Sequence, residues 1–228
     1  MENLTIKMHR YEAVTGLIYI IMQIFILPVI LVVANNFLPH PLTEAALNFT
    51  LFSINFICIV VIFHRFLLNS LHILFQRPKQ VLLTCLKGFG FYWLGSVLVN
   101  ILVVYLDPGF SNVNDENIAV LADQNNFLMI IGTVVLVPVV EETLYRGVVF
   151  GQLYRKKPML GYIVSVAVFS ALHIFGYIGF YSPLRLLLCF LQYIPAGIFL
   201  AWTYVKADTI WAPIVIHITV NLIGMLAM

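Results

Sequence analysis

The stretch VLVPVVEETLYRGVVFG, residues 135 to 151, sets two adjacent glutamates and an arginine inside an otherwise apolar run. Its surroundings explain why that is unusual. Of 228 residues, 62% are hydrophobic and 10% charged, and mean hydropathy is +1.00. A water-soluble domain carries about 25% charged residues, so this chain has too few charges to cover a water-facing surface. It reads as an all-α, polytopic transmembrane bundle of about seven to eight spans.

A span needs about 20 mostly apolar residues. Seven fit, near 15–37, 47–68, 81–105, 127–152, 159–180, 184–204 and 209–227. The basic segment 69–80 suits an interfacial helix and supplies the possible eighth element. The first apolar run follows Lys7 and Arg10 and lacks a small-residue cleavage end, so it reads as a retained span. Lysine and arginine fall on alternate connections: Lys7 and Arg10, then Arg65, Arg77 and Lys79, then Arg155, Lys156 and Lys157, then Lys206. Segments 38–46 and 106–126 hold neither, and the second carries Asp107, Asp115, Glu116 and Asp123. By the positive-inside rule the N-terminus is cytoplasmic; Arg185 alone departs from the pattern. The net charge of +2 is spread thinly and points to no nucleic-acid partner. Cys58, Cys85 and Cys189 stand apart in apolar runs, without metal-ligand or disulfide spacing.

Ionisable residues inside a span are costly and mark functional sites by default. Lys87 is near enough to a span end for its long stem to reach the headgroups. The rest lie in the last four spans: Glu141, Glu142, Arg146, His173 and His217, with Asn221 beside them. Glu141 precedes Lys157 by 16 residues and His173 follows it by 16. An antiparallel hairpin turning at 155–158 therefore sets both at one level, about 20–24 Å from the turn. His217 and Asn221, 9 and 13 residues beyond Asp208, lie roughly 14–20 Å in. Glu142 and Arg146 are spaced i,i+4, which suits an ion pair, while Glu141 is about 100° round the helix. Gly147 and Gly151 form a GxxxG that permits close helix approach. The expectation is a polar chamber between the last four spans, with residues 1–124 forming an N-terminal membrane region and 125–228 the part that carries the chemistry.

A carboxylate and an imidazole at one depth can hold a water and take its proton, and a second imidazole with an amide can donate to an oxyanion. Ser170, three residues before His173, lacks a third residue to orient the base, so water is the expected nucleophile. Each motif alone has a plainer reading: an ion pair that holds helices together, a satisfied core histidine, an interhelical hydrogen bond.

The motifs EETLYRG, FSALH (169–173) and HITVN (217–221) resemble, in order, the EExxxR, FxxxH and HxxxN motifs of the CPBP family of intramembrane proteases, which includes the CAAX prenyl endopeptidases. The resemblance covers about 125–228. It implies an endopeptidase in which Glu141 is the general base and His173 its partner on the water. His217 and Asn221 would form the oxyanion hole, with Glu142 and Arg146 in support. It implies no cofactor; the alternative is a zinc site on Glu141, His173 and His217, although HExxH is absent. The implied substrate is a small peptide or a membrane protein, as in bacteriocin or signal-peptide processing or self-immunity in a bacterial cell membrane. The competing reading is a non-catalytic partner of a membrane sensor kinase, or an immunity protein. A transporter is a weaker alternative, because no inverted repeat is visible.

Overall fold

A computed structural model of the chain describes residues 4–227. Eight helices account for almost all of it: α1 Arg10–Asn36, α2 Glu44–Ile62, α3 His64–Gln76, α4 Pro78–Leu106, α5 Val113–Tyr154, α6 Pro158–Phe175, α7 Pro183–Ala207 and α8 Trp211–Ala227. Six are long and apolar enough to cross a bilayer, and α8 is an apolar helix of 17 residues. The fold is an all-α polytopic bundle, as the composition requires. No strand occurs among the described residues beyond an isolated bridge between Ile178 and Tyr181.

Exposed aliphatic and aromatic side chains cover α1 and α4, among them Val29, Ile30, Leu83, Leu94 and Ile101. Outside a membrane such a surface would be untenable; facing lipid tails it is the expected one. The helices bury their smaller or polar faces on one another instead. α7 lies between α4 and α6, and α8 packs on α4, α7 and the middle of α5. Close approach occurs where glycine meets backbone. A Cβ on Gly161 would stand 2.9 Å from the Tyr154 nitrogen, and one on Gly197 3.0 Å from the Val166 Cα. Gly147 and Gly151 do something else: Gly147 makes room for the side chains of Met8 and Phe66, and a Cβ on Gly151 would meet the Arg146 carbonyl of its own helix. The GxxxG is therefore not a helix–helix seam.

Two boundaries differ from expectation. The polar segment 106–126, expected to be a loop, is helical from Val113 onward. At 42 residues, α5 would be about 63 Å long if straight, twice the bilayer core. Asn125 breaks it with extended dihedrals (φ −161°, ψ 91°). The stretch before the break keeps its charges off the span and packs on α2, where the Ala45 N–H donates to Gln124. The second span also ends early. Phe63 leaves the helical region, and α3 sets off separately as an amphipathic helix. Its start is capped from a distance: the fully buried Glu12 carboxylate accepts from the Phe66 N–H and from the His9 N–H.

Residues 4–9 run extended, with Leu4, Ile6 and Met8 buried and Thr5, Lys7 and His9 exposed. Asp208, the left-handed residue that turns α7 into α8 (φ 53°), accepts from the N–H groups of Thr5 (2.7 Å) and Ile6 (3.0 Å) and from the Thr5 hydroxyl. Arg155, in the α5–α6 turn, donates to the Ile6 carbonyl. The arm thus ties together both turns that the sequence places on the basic side. At the other end, Arg185 bonds Glu116 (2.7 Å) and Ser111 and lies over Tyr181. Its apparent exception to the charge pattern is a pairing with the acidic segment.

Candidate active site

The second half of α5 is not a plain α-helix. Ile130–Leu136 and Glu142–Phe150 are π-helical, separated by the α-turn Val137–Glu141. Such wide turns are rare and concentrate at functional sites. Pro138 contributes to the first. It has no N–H to offer a carbonyl one turn back, and the Val137 N–H bonds Gly132, which leaves the Thr133 carbonyl free of the helix ladder. Asn221 of α8 donates its side-chain amide to that carbonyl at 2.8 Å. Between Glu141 and Glu142 the backbone keeps ordinary helical dihedrals (φ −65°, ψ −47° and φ −64°, ψ −39°), so the two side chains diverge: Glu141 lines a polar chamber, and Glu142 is buried behind its wall.

Glu142 is completely buried and accepts two hydrogen bonds on one oxygen. Arg146 Nη1 donates to its Oε1 at 2.9 Å, and His217 Nδ1 meets the same Oε1 at 2.8 Å. Arg146, also fully buried, donates through Nη2 to the Ala196 carbonyl of α7 at 3.1 Å, and its guanidinium lies 4.0 Å from the centre of the Phe169 ring. The expected i,i+4 pair is present, but it is one edge of a network that joins α5, α6, α7 and α8.

Glu141 stands apart from that network. Its Oε2 lies 3.9 Å from Nε2 of His173 and 3.9 Å from Nε2 of His217, and it accepts no hydrogen bond. A separation of 3.9 Å is too long for a direct hydrogen bond and suits bridging by a water. Both imidazoles are held by their other nitrogen. His173 Nδ1 bonds the Phe169 carbonyl one turn back at 2.8 Å, and Tyr193 of α7 stacks on its ring (4.1 Å between centroids). A carbonyl only accepts, so that Nδ1 carries the hydrogen, and the neutral ring directs an Nε2 lone pair at Glu141. His217 Nδ1 likewise donates to the Glu142 carboxylate. Phe169, the first residue of FSALH, therefore serves twice: its ring covers Arg146 and its carbonyl orients His173.

The structure brings Glu141, Glu142, Arg146, His173 and His217 into one cluster, with Asn221 one turn further along α8. They line, or stand behind, a cavity of about 780 Å³ enclosed mainly by α4, α5, α7 and α8. Glu141 also borders a smaller pocket of about 300 Å³ against α1 and α2, beside Gln23, Asn55 and Phe175. Sequence reading missed the far wall of the large cavity. Asn112 donates to Gln192 (2.8 Å), Gln192 donates to Asn100 (2.7 Å), and Tyr193 donates to Asn112 (3.3 Å). Gln192 and Tyr193, on an apolar helix three and two residues ahead of Pro195, were the available signal.

Comparison with known proteins points to the same part of the chain. Residues 123–223 match the profile of the family described as type II CAAX prenyl endopeptidase Rce1-like. A Bacillus subtilis protein named "Putative membrane peptidase YdiL" is 34% identical over 95 residues, a stretch that covers 41% of this chain and 34% of that protein. No solved structure matches the chain. The matched residues 123–223 contain all three polar motifs and the buried cluster they form, so over that stretch the chain is similar to the Rce1-like family, while it spans only about a third of the length of the Bacillus subtilis relative.

Proposed function

We propose that this chain is an intramembrane endopeptidase that cleaves a peptide bond with a water activated by Glu141 and His173. One observation carries the reading: a carboxylate oxygen with no hydrogen bond of its own stands 3.9 Å from two imidazole nitrogens whose partner nitrogens are already committed. A water there donates one hydrogen to Glu141 Oε2 and the other to His173 Nε2, which leaves an oxygen lone pair directed into the cavity. As Glu141 takes the proton, the water oxygen bonds to the scissile carbonyl carbon and the C=O electron pair moves onto oxygen. Asn221 retains one amide N–H beyond its bond to Thr133 for that oxyanion. His217 contributes Nε2–H only as the imidazolium, with Glu142 as its counter-ion. Collapse of the intermediate breaks the C–N bond, and the proton on Glu141 passes to the departing amine. General-base help of this kind contributes typically about 10²–10⁴-fold.

Zinc on Glu141, His173 and His217 fits less well, since among the described residues no three such side chains are placed to hold a metal ion. Tetrahedral zinc with bonds of 2.0–2.1 Å needs ligand atoms about 3.3 Å apart, so each contact would have to shorten by roughly half an ångström. Water is the better fit, and activity that survives exhaustive chelation is the expected result; complete loss restored by zinc would replace the glutamate mechanism with a metal one.

The substrate class is a peptide or membrane protein, of the kind met in bacteriocin or signal-peptide processing, in a cell membrane with the N-terminus cytoplasmic. The decisive experiment compares the peptides of cells expressing wild type with those expressing Glu141→Gln. Intact precursors that accumulate only in the variant are expected. A cellular phenotype that survives both Glu141→Gln and His173→Ala at normal protein levels would replace the protease with a non-catalytic binding partner.

A further inference from the structure

The cavity has a charge character that the hydrolysis itself does not use. Its lining contains Glu141, Asp115, His173 and His217 and no lysine or arginine. Arg146 is sealed behind the wall by Glu142, and Arg185 is held outside by Glu116. Asp115 comes from the first turn of α5, in the segment the charge pattern sets opposite the basic turns. Its side chain is accessible, and its carboxylate makes no hydrogen bond or ion pair with any described residue. Around it the wall offers amides from Asn112, Asn114, Asn117 and Gln192, and aromatic faces from Tyr92, Trp93 and Tyr193. Several amides are spent on one another, and Asn112 also caps the helix that presents Asp115.

Resting on the hydrolase reading, we propose that Asp115 is the specificity determinant of this cavity and binds a cationic group of the substrate, a lysine or arginine side chain or a free N-terminal amine close to the scissile bond. A carboxylate held beside a protein wall gains from a charge-assisted hydrogen bond with an ammonium or guanidinium. Aromatic faces around it attract the same charge through the ring quadrupole. A neutral peptide leaves the carboxylate without a partner, and an acidic one is repelled, so discrimination arises from both attraction and mismatch. The amide-lined wall suits the polar backbone of an extended peptide on its way to Glu141.

The test uses purified full-length protein in detergent and a set of neutral peptides in which single positions are changed to Lys, Gln or Glu. At one position wild type should prefer Lys over Gln by about 10- to 100-fold in kcat/KM, as a hydrogen bond to a charged group implies. In Asp115→Asn the ratio should fall to near one, and in Asp115→Lys the preference should pass to Glu. A flat wild-type profile, or a Lys preference that persists in Asp115→Asn, overturns the assignment while leaving the hydrolase intact. If wild type cleaves no peptide, the hydrolase reading fails, and fluorescence binding of the Lys and Gln peptides to wild type and Asp115→Asn decides separately. Lys-selective binding lost in the variant sustains Asp115 as a cation site, and equal binding ends it.

Discussion

Replacing Glu142 by glutamine should unfold the protein more readily, whereas the same change at Glu141 should not. The two residues are neighbours in sequence, but Glu142 is completely buried and holds Arg146 and His217 on a single oxygen. Without the carboxylate charge, the buried guanidinium keeps only the Ala196 carbonyl and the Phe169 ring. Removing one member of a buried pair costs about 3–5 kcal/mol, because the other charge is left uncompensated. For a domain of this size each kcal/mol moves Tm by roughly 2–4 °C, which gives a fall of about 6–20 °C. Glu141 makes no hydrogen bond and its side chain is 18% exposed, so Glu141→Gln should cost under about 1 kcal/mol. Thermal unfolding in one detergent, followed by intrinsic fluorescence, measures both. The cycle adds a sharper demand: Arg146→Met placed on Glu142→Gln should recover part of the lost stability, since an apolar side chain tolerates that site better than an orphaned charge. An unchanged Tm for Glu142→Gln, or strictly additive losses in the double variant, would refute the reasoning.

Activity should separate the same two residues the other way, with Glu141→Gln losing about 10²–10⁴-fold in kcat at wild-type Tm, read by peptide cleavage in detergent. Asn221→Ala should cost both turnover and stability, roughly 1–3 kcal/mol of the latter, because the Thr133 carbonyl loses its donor; Asn221→Asp cannot donate and should behave alike, whereas a wild-type Tm in both would disconnect Asn221 from the π turn. Gly161→Ala places a Cβ 2.9 Å from the Tyr154 backbone nitrogen; overpacking of that kind costs about 1–3 kcal/mol, and since backbone cannot swing aside the α5–α6 hairpin must open, which a Tm measurement reports. Asp208→Ala removes the acceptor for three donors of Thr5 and Ile6 and should make the N-terminal arm a site of early cleavage in limited proteolysis, with activity affected less than in Glu141→Gln.

Much of this site was legible one residue at a time. Charges in an apolar helix stand out because lipid makes them costly, and counting outward from the turn at 155–158 aligns Glu141 with His173 without any coordinates. The i,i+4 spacing also identifies Arg146 as the partner of Glu142. What escaped was every relation that depends on how the backbone departs from the ideal helix. Nothing in the spacing announces that the chain is π-helical from Glu142 onward, or that Glu142 is sealed behind the cavity wall while Glu141 lines it. Asn112 and Asp115 were assigned to an outer loop because their segment is polar, although a helix broken at Asn125 carries them to the cavity wall.

By itself the sequence determined that this is a membrane bundle, where its basic turns fall, and which few polar residues had to find one another. These follow from solvation, which acts on each residue according to its own chemistry. Only the tertiary structure decided that Glu142, not Glu141, takes His217 Nδ1, that the Phe169 carbonyl sets the His173 tautomer, that Asn221 serves the carbonyl left open at Pro138, and that Asp115 reaches the cavity unpaired. Those outcomes rest on distances of 3–4 Å between separate helices. They are set by packing and by hydrogen-bond demand at irregular turns, for which sequence spacing has no equivalent.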